Sequence, residues 1–448
     1  MKNGFLSRPW LPMLVAFLFA AAFIVFQPGT IWKDGAEYDA LAQSILQGQY
    51  SIDGEPSMLR EPGYPLFRAL VRFVTSDLSA VFWIQALLFV LIVWLIWDCL
   101  RRIDVRLAMI GAWATALSYG LAVYAARHLF EMFAAFLLAL VAWLAMRVID
   151  EDKPWKWIVA FSVAIAALIL TRTSFIFLPV ALMAMFVLVW SKQKQPVARF
   201  EIVKRIGVSS VIIAVLLAPW IVRNGKTFGV WGITGRTGIQ VAARAFKADE
   251  SWGRWRDSVG SVFIGRTLYT TRYPKADPIV LEHWKRVWGR LEAWHLDRNE
   301  IDADRALQHE AFTLIFSDVG HFMRAGAWTF VDLGRLLALP SPMAAQFGIE
   351  AMFWPKWEAG TITALDYTIL VFAQLLQLIW WMGIILGFWY GVRRYGVRFL
   401  PAYLVAAVIA SYLPADNIVR YAAPMHPWLL TLIVIGWTPI IQRRLGKR

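Results

Sequence analysis

An all-α protein with about ten membrane-crossing helices is the fold class that the sequence predicts. Three observations predict it. Of 448 residues, 59% are hydrophobic and only 17% charged, with a mean hydropathy of +0.54; a soluble chain of this size carries more charge. Apolar runs long enough to cross a hydrocarbon core of about 30 Å recur along the chain. Basic residues gather in the turns of one side, as cytoplasmic loops do. The net charge of +14 follows from those loops and implies no nucleic acid. The one cysteine, Cys99, excludes an intrachain disulfide.

The expected spans lie near 9–27, 79–98, 107–126, 128–148, 157–171, 174–190, 206–222, 366–390, 399–413 and 424–441. The first, Trp10 to Phe26, is not followed by a small-residue cleavage pattern and is read as a retained helix. Arg101, Arg102 and Arg106 mark one basic turn, Lys192 to Arg205 a second, and Arg393, Arg394 and Arg398 a third. Arg443, Arg444, Lys447 and Arg448 follow the last span. The positive-inside tendency places these turns and both termini in the cytoplasm. The 25 tryptophans suit an interfacial belt.

Two stretches need a decision. The run from Trp157 to Trp190 would extend roughly 50 Å as one helix, against a core of about 30 Å. Arg172 and Thr173 sit in its middle. Two shorter helices with Arg172 at the outer turn avoid a costly mid-membrane arginine. The run from His321 to Leu339 carries Arg324, Asp332 and Arg335 within an arc of roughly 80°, which predicts a surface amphipathic helix. The chain therefore divides into 1–222, with an outer first loop at 28–78, an outer region at 223–365, and C-terminal spans at 366–448. The outer region has nine tryptophans, helical character from Pro278 to Phe316, and no strand-helix repeat.

The first loop, from Lys33 to Phe67, reads KDGAEYDALAQSILQGQYSIDGEPSMLREPGYPLF. Tyr38, Leu41, Ala42 and Ile45 recur at helical spacing, and Gly48 lies where a helix stop is expected. A polar turn follows, then Arg60 to Pro65, where two prolines and Gly63 make a rigid turn. Asp34 and Glu37 are read in two ways. One is a capping role at a short helix. The other is a carboxylate placed to take a proton from an attacking hydroxyl. Asp39, on the same helix, has no assigned role and is expected to tolerate amidation. Glu131 stands at the start of an apolar run, where an acid can be interfacial or can line a site. Arg60, Arg172, Arg223 and Arg420 all fall at outer ends of spans. They are either snorkelling to headgroups or gathered on one anion.

The loop resembles the first outer loop of the GT-C glycosyltransferases, which take a sugar from a polyprenyl-phosphate carrier. Asp34, Tyr38, Ala42, Leu46, Gly48, Arg60, Pro62, Gly63, Tyr64, Pro65, Leu66 and Phe67 fit the pattern of the protein O-mannosyltransferase and aminoarabinose-transferase relatives. Arg172 in LTRTSF resembles that family's L-T-R-P, with Thr173 in place of proline; Arg223 in PWIVRN and Arg420 with Tyr421 in RYAAPMHP resemble later motifs. The resemblance implies an all-α GT-C fold with short juxtamembrane helices. It implies Asp34 as catalytic carboxylate, with Glu37 and Glu131 beside it. The four arginines would bind the donor phosphate, and Tyr38, Tyr64 and Tyr421 would line the site. It further implies a bacterial inner-membrane enzyme with a periplasmic active site, a polyprenyl-phosphate sugar as donor, and an envelope glycan, lipid or protein as acceptor. One displacement at the anomeric carbon would invert it.

Other chemistries find little support. None of the six histidines has metal-motif spacing, and the sequence indicates no cofactor, although a divalent metal stays open. Gly232, Gly235 and Gly238 lack the Lys-Ser/Thr ending of a phosphate loop and read as a turn. No G-x-S-x-G occurs. Two rivals from other classes stand beside the enzyme. A lipid or sugar-lipid transporter would show inverted repeats and mid-membrane polar groups. A non-catalytic pseudo-enzyme would not need Asp34.

Overall fold

In the computed structural model, the described residues are 9–26, 33–151, 154–191, 199–251, 300–320, 359–396, 399–412 and 419–445, with 289, 322–323 and 356. Helix α1 (Trp10–Phe26) leads to α2 (Lys33–Leu46), a two-stranded hairpin of β1 (Ser51–Ile52) and β2 (Glu55–Pro56), and α3 (Gly63–Val74). Then follow α4 (Ala80–Arg101), α5 (Val105–Ala116), α6 (Tyr119–Ala125), α7 (Glu131–Asp150) and α8 (Trp155–Thr171). A 3₁₀ turn (Thr173–Phe177), α9 (Leu178–Ser191), α10 (Arg199–Phe228) and α11 (Thr237–Ser251) complete the first half. The remaining elements are α12 (Glu300–Ser317), α13 (Ala364–Tyr395), α14 (Leu400–Tyr412), a 3₁₀ turn (Val419–Met425) and α15 (His426–Leu445).

The protein is an all-α multi-pass membrane protein. Among the described residues, helix lies in each of the ten expected ranges, broken in two within 107–126 and entered through a 3₁₀ turn in 174–190. Among the described residues, α4, α7, α10 and α13 are long and apolar enough to cross a membrane, and the α5–α6 pair, bent by 53°, makes a fifth if counted as one span. Helices α1 and α8 are shorter but apolar. The bend is where a single straight span was expected. Ser118 caps α6 by accepting from the Leu121 N–H, and its hydroxyl lies 2.9 Å from His426 Nδ1. A local cap and a distant partner thus interrupt an otherwise apolar helix.

Arg172 ends α8 in extended conformation, at φ −154° and ψ 114°. The break falls where the sequence expects it. Helix α10 does not stop at 222; it runs on to Phe228 because Arg223 and Asn224 find inward partners. Arg223 donates to two first-loop carbonyls and Asn224 to the Gly232 carbonyl. The expected boundary at 222/223 therefore falls inside a helix.

The chain forms two compact units: residues 1–234, 383–411 and 423–448, and residues 235–382 and 412–422. In the first, α4 packs on α1, α5 and α7, while α8 packs on α7, α10 and α3. In the second, α11 lies against α12 through Ala242, Phe246, Leu307 and Ala311. Gly238 abuts the Asp304 backbone, and the Asp304 carboxylate accepts from the Gly238 and Ile239 N–H groups, capping α11. The Gly232–Gly238 segment is thus an entry to a packed helix. Of the region from Pro278 to Phe316, the helix is described only from Glu300; the run from His321 to Leu339 lies almost wholly outside the described residues.

Helix α3 has an inverted polarity. Tyr64, Arg68, Ala69 and Val71 face inward, while Leu66, Leu70, Phe73 and Val74 are 45–83% exposed. The charged side of this helix is buried and its oily side is not.

Candidate active site

The first loop builds the site from α2 outward. Asp34 and Glu37 stand one turn apart on α2, so both face the same neighbour. That neighbour is Arg60: its Nη2 lies 2.6 Å from Asp34 Oδ1 and its Nε 2.6 Å from Glu37 Oε2. Arg60 is 6% exposed, and its guanidinium lies 5.3 Å from the Tyr38 ring centroid. Burial works against the Arg60 charge, but Tyr38, Asp34 and Glu37 outweigh it and raise its value above the ordinary arginine level. One arginine holding two carboxylates leaves a net negative charge, with Asp34 still about a quarter exposed (24%).

The turn that carries Arg60 is fixed from both ends. Asp53 and Gly54 have φ of 53° and 85°, the left-handed pair of a tight hairpin turn. Tyr50 donates to the Arg60 carbonyl at 2.9 Å. Arg223 reaches across from α10 and donates to the Ser57 carbonyl at 2.6 Å and the Tyr50 carbonyl at 2.9 Å. Its guanidinium is enclosed by Tyr50, Trp220 and Phe228. Arg223 is thus a brace for the loop: besides these two carbonyls it donates to the neighbouring Asn224 Oδ1 at 3.0 Å.

A second ionic cluster ties α2 to α3. Asp39 accepts from Arg68 at 2.6 Å and from Arg72 at 2.9 and 2.6 Å. Arg68 is wholly buried, and its Nη1 lies 3.3 Å from His128 Nδ1. Burial raises the Asp39 pKa, but the two arginines overcome that and hold it below the usual carboxylate range. Burial and the charge of Arg68 push His128 down to about 4, so its ring is neutral and can accept from Arg68. Asp39 is therefore no bystander, and the expectation that it tolerates amidation is corrected: it neutralises the wholly buried Arg68 and the part-buried Arg72.

Tyr64 leads from this cluster to α7. Its hydroxyl lies 3.2 Å from Gln85 Oε1, and Gln85 donates to the Ala125 and Arg127 carbonyls. Tyr38 and Tyr64 meet edge to face at 5.0 Å. Glu131 is fully buried at the first turn of α7, where the helix dipole favours negative charge. Its charge is close enough to raise the Tyr64 pKa, after burial itself. Arg172 is 9% exposed and sits 5.3 Å from the Phe130 ring centroid. Arg172 and Arg60 both act electrostatically on Tyr38.

The first unit thus gathers Asp34, Glu37, Arg60, Tyr38, Tyr64, Glu131, Arg172 and Arg223 around one loop. The Arg420 side chain lies outside the described residues. Tyr421 belongs to the second unit and stacks on Tyr412. Among the described residues, no group of three or more His, Cys, Asp or Glu is placed to hold a metal ion. Sequence reasoning missed Glu61, Arg68, Arg72, Gln85 and His128. The signal for Arg68, Arg72, Gln85 and His128 was polarity among apolar neighbours; Glu61, in the Arg60–Pro65 turn, carried none.

Residues 62–222 match the family model described as dolichyl-phosphate-mannose-protein mannosyltransferase. The fold is similar to that of archaeal oligosaccharyltransferase AglB from Archaeoglobus fulgidus, solved in complex with an inhibitory peptide and a dolichol-phosphate. The TM-score is 0.51 at 14% identity, covering 98% of this chain and 51% of that one. The chain has the GT-C fold. An oligosaccharyltransferase of the same organism, tethered to an acceptor peptide, aligns with this chain at a TM-score of 0.50 and 13% identity, covering 98% and 50%. ArnT from Cupriavidus metallidurans, bound to undecaprenyl phosphate, aligns at 0.40 and 14% identity, covering 98% and 78%. No curated protein matches the chain. The chain spans about half the length of the oligosaccharyltransferase structures it matches.

Proposed function

We propose that the protein is a membrane glycosyltransferase that moves a monosaccharide from a polyprenyl-phosphate carrier to an acceptor on the periplasmic side of a bacterial inner membrane. The observation that carries this reading is the Asp34–Arg60–Glu37 constellation, set on a loop braced by Arg223 and flanked by Arg172 and Glu131. The family description over 62–222 and the dolichol-phosphate bound by AglB support a lipid-phosphate donor.

The roles follow from what each group already touches. Asp34 accepts the proton of the acceptor hydroxyl as that oxygen attacks the anomeric carbon. The bond from this carbon to the carrier phosphate oxygen breaks, and the electron pair leaves with the phosphate. One displacement inverts the centre. Arg172 neutralises the departing phosphate, and Arg420 keeps the phosphate role that its motif implies. Arg60 and Arg223 are reassigned. The first is bonded to two carboxylates and the second to two carbonyls, so they shape the loop. Glu37 shares Arg60 with Asp34, Glu131 and the tyrosines Tyr38 and Tyr64 form the wall behind it, and Tyr421 adjoins Arg420 in sequence. The acceptor is an envelope glycan, lipid or protein.

The test is sugar transfer from a purified polyprenyl-phosphate donor. Asp34→Asn should lose about 10²- to 10⁴-fold in turnover while donor binding persists. Glu55→Gln, on the exposed hairpin, is the control in place of Asp39. Full activity in Asp34→Asn would remove this residue from the mechanism.

A further inference from the structure

Arg172 is straddled by the first loop. On one side, Gly63 lies so close to Thr171 that an added Cβ would stand 2.5 Å from Thr171 Oγ1 and 2.7 Å from its backbone nitrogen. On the other side, Glu61 Oε1 accepts both the Thr173 N–H at 3.0 Å and the Thr173 hydroxyl at 2.7 Å. Glu61 is 8% exposed, so water does not readily replace a lost bond. Thr173 opens a 3₁₀ turn, and an N–H at the start of such a turn has no partner within it. Glu61 supplies that partner from a point 112 residues away. Between these two contacts Arg172 is held extended, with its guanidinium over Phe130.

We propose that Glu61 is a positioning residue that grips Thr173 and thereby fixes Arg172 where the carrier phosphate of the donor rests. The inference builds on the glycosyltransferase reading above. The chain-specific pair is Glu61 and Thr173: the first brings a doubly accepting carboxylate, the second two donors. Arg172 lies one bond from this anchor, so loosening the anchor loosens the cation. A clamp that only fastened α8 to the loop would lower thermal stability when cut and leave phosphate affinity as it is. A clamp that aims Arg172 changes phosphate affinity, and only while Arg172 is present.

The experiment uses the purified full chain in nanodiscs, with undecaprenyl phosphate as the probe. Thr173→Val keeps the N–H and shape but removes the hydroxyl. Thr173→Ser keeps both donors. Thr173→Val and Glu61→Gln should each weaken undecaprenyl phosphate binding about tenfold; each also lowers the thermal midpoint, because a buried bond is lost, so the affinity and not the midpoint is the deciding readout. Thr173→Ser should bind as the parent does. In an Arg172→Ala background, Thr173→Val should add almost nothing, because the two act through one group. Should Glu61→Gln fail to fold, the Thr173→Val cycle alone decides. Parent-like binding in Thr173→Val overturns the proposal. So does an undiminished Thr173→Val effect in the Arg172→Ala background, or no binding by the parent chain. Binding without sugar transfer by the parent would instead refute the enzymatic reading and leave the clamp to be judged by the cycle.

Discussion

Asp39 lies five residues after Asp34 on one helix, and the two carboxylates have different environments. Asp34 is partly open beside Arg60, whereas Asp39 is spent on Arg68 and Arg72. Asp39→Asn would leave the wholly buried Arg68 without its counter-charge. Removing one partner of such a pair costs about 3–5 kcal/mol, so thermal unfolding of the purified variant should occur at markedly lower temperature. The pH dependence has a definite sign. His128, held down at about 4 in the fold, titrates near 6.5 when unfolded. Stability is therefore complete above about pH 6.5 and declines as pH falls toward 4, because the unfolded chain takes the proton first. Asp39 is lowered in the fold, so its contribution is present above the unfolded carboxylate value and is lost as pH falls through the folded one. His128→Asn should flatten the upper part of this decline in a series of unfolding curves. At this scale, the sequence displayed Asp34, Glu37 and Arg60 through their motif. It could not display the partners of Asp39, since Arg68 and Arg72 lie 29 and 33 residues beyond it with nothing local to pair them.

Helices were the most legible level, because the long ones are apolar runs of readable length. The break at Arg172 was foreseen because a run longer than the bilayer cannot be one straight span. The bend between α5 and α6 was not, because its cause includes the Ser118–His426 contact, 308 residues apart in sequence. The hairpin did carry a signal in Asp53-Gly54, the dipeptide that suits two left-handed positions in succession. Its strands of two residues each were too short for an alternating pattern to confirm it. Close approach of elements is likewise invisible in a sequence until packing reveals it. Gly63 illustrates this, with the α8 terminus against its backbone. Gly63→Ala would put a methyl group against Thr171 and Leu170 main chain, which cannot swing aside. Overpacking of this kind costs about 1–3 kcal/mol. The expected result is a lower unfolding midpoint and weaker transfer, with Gly48→Ala as the comparison in open space, strained only by its φ of 77°.

For the whole molecule, the basic turns give an orientation that labelling can test. Cys99 is 2% exposed within α4, so it gives little background to an impermeant thiol reagent. Ser261→Cys should react in intact spheroplasts if 223–365 is outside; reaction only after lysis would reverse that assignment. Overall class and helical order were legible because hydrocarbon imposes its thickness on every span. Division into two units was not, because it depends on which distant helices pack together. The inverted α3 has a consequence for the molecule as a whole. Its leucines, Phe73 and Val74 look outward while its arginines are held underneath. Such a helix behaves as a float: it rides where oil meets water and carries the acidic loop at that level. Bilayer thickness and acyl packing then become part of the loop's geometry. A short-chain detergent that withdraws the oil from beneath the float would change the height of Asp34 relative to the membrane-crossing helices while every ion pair in the loop stayed intact.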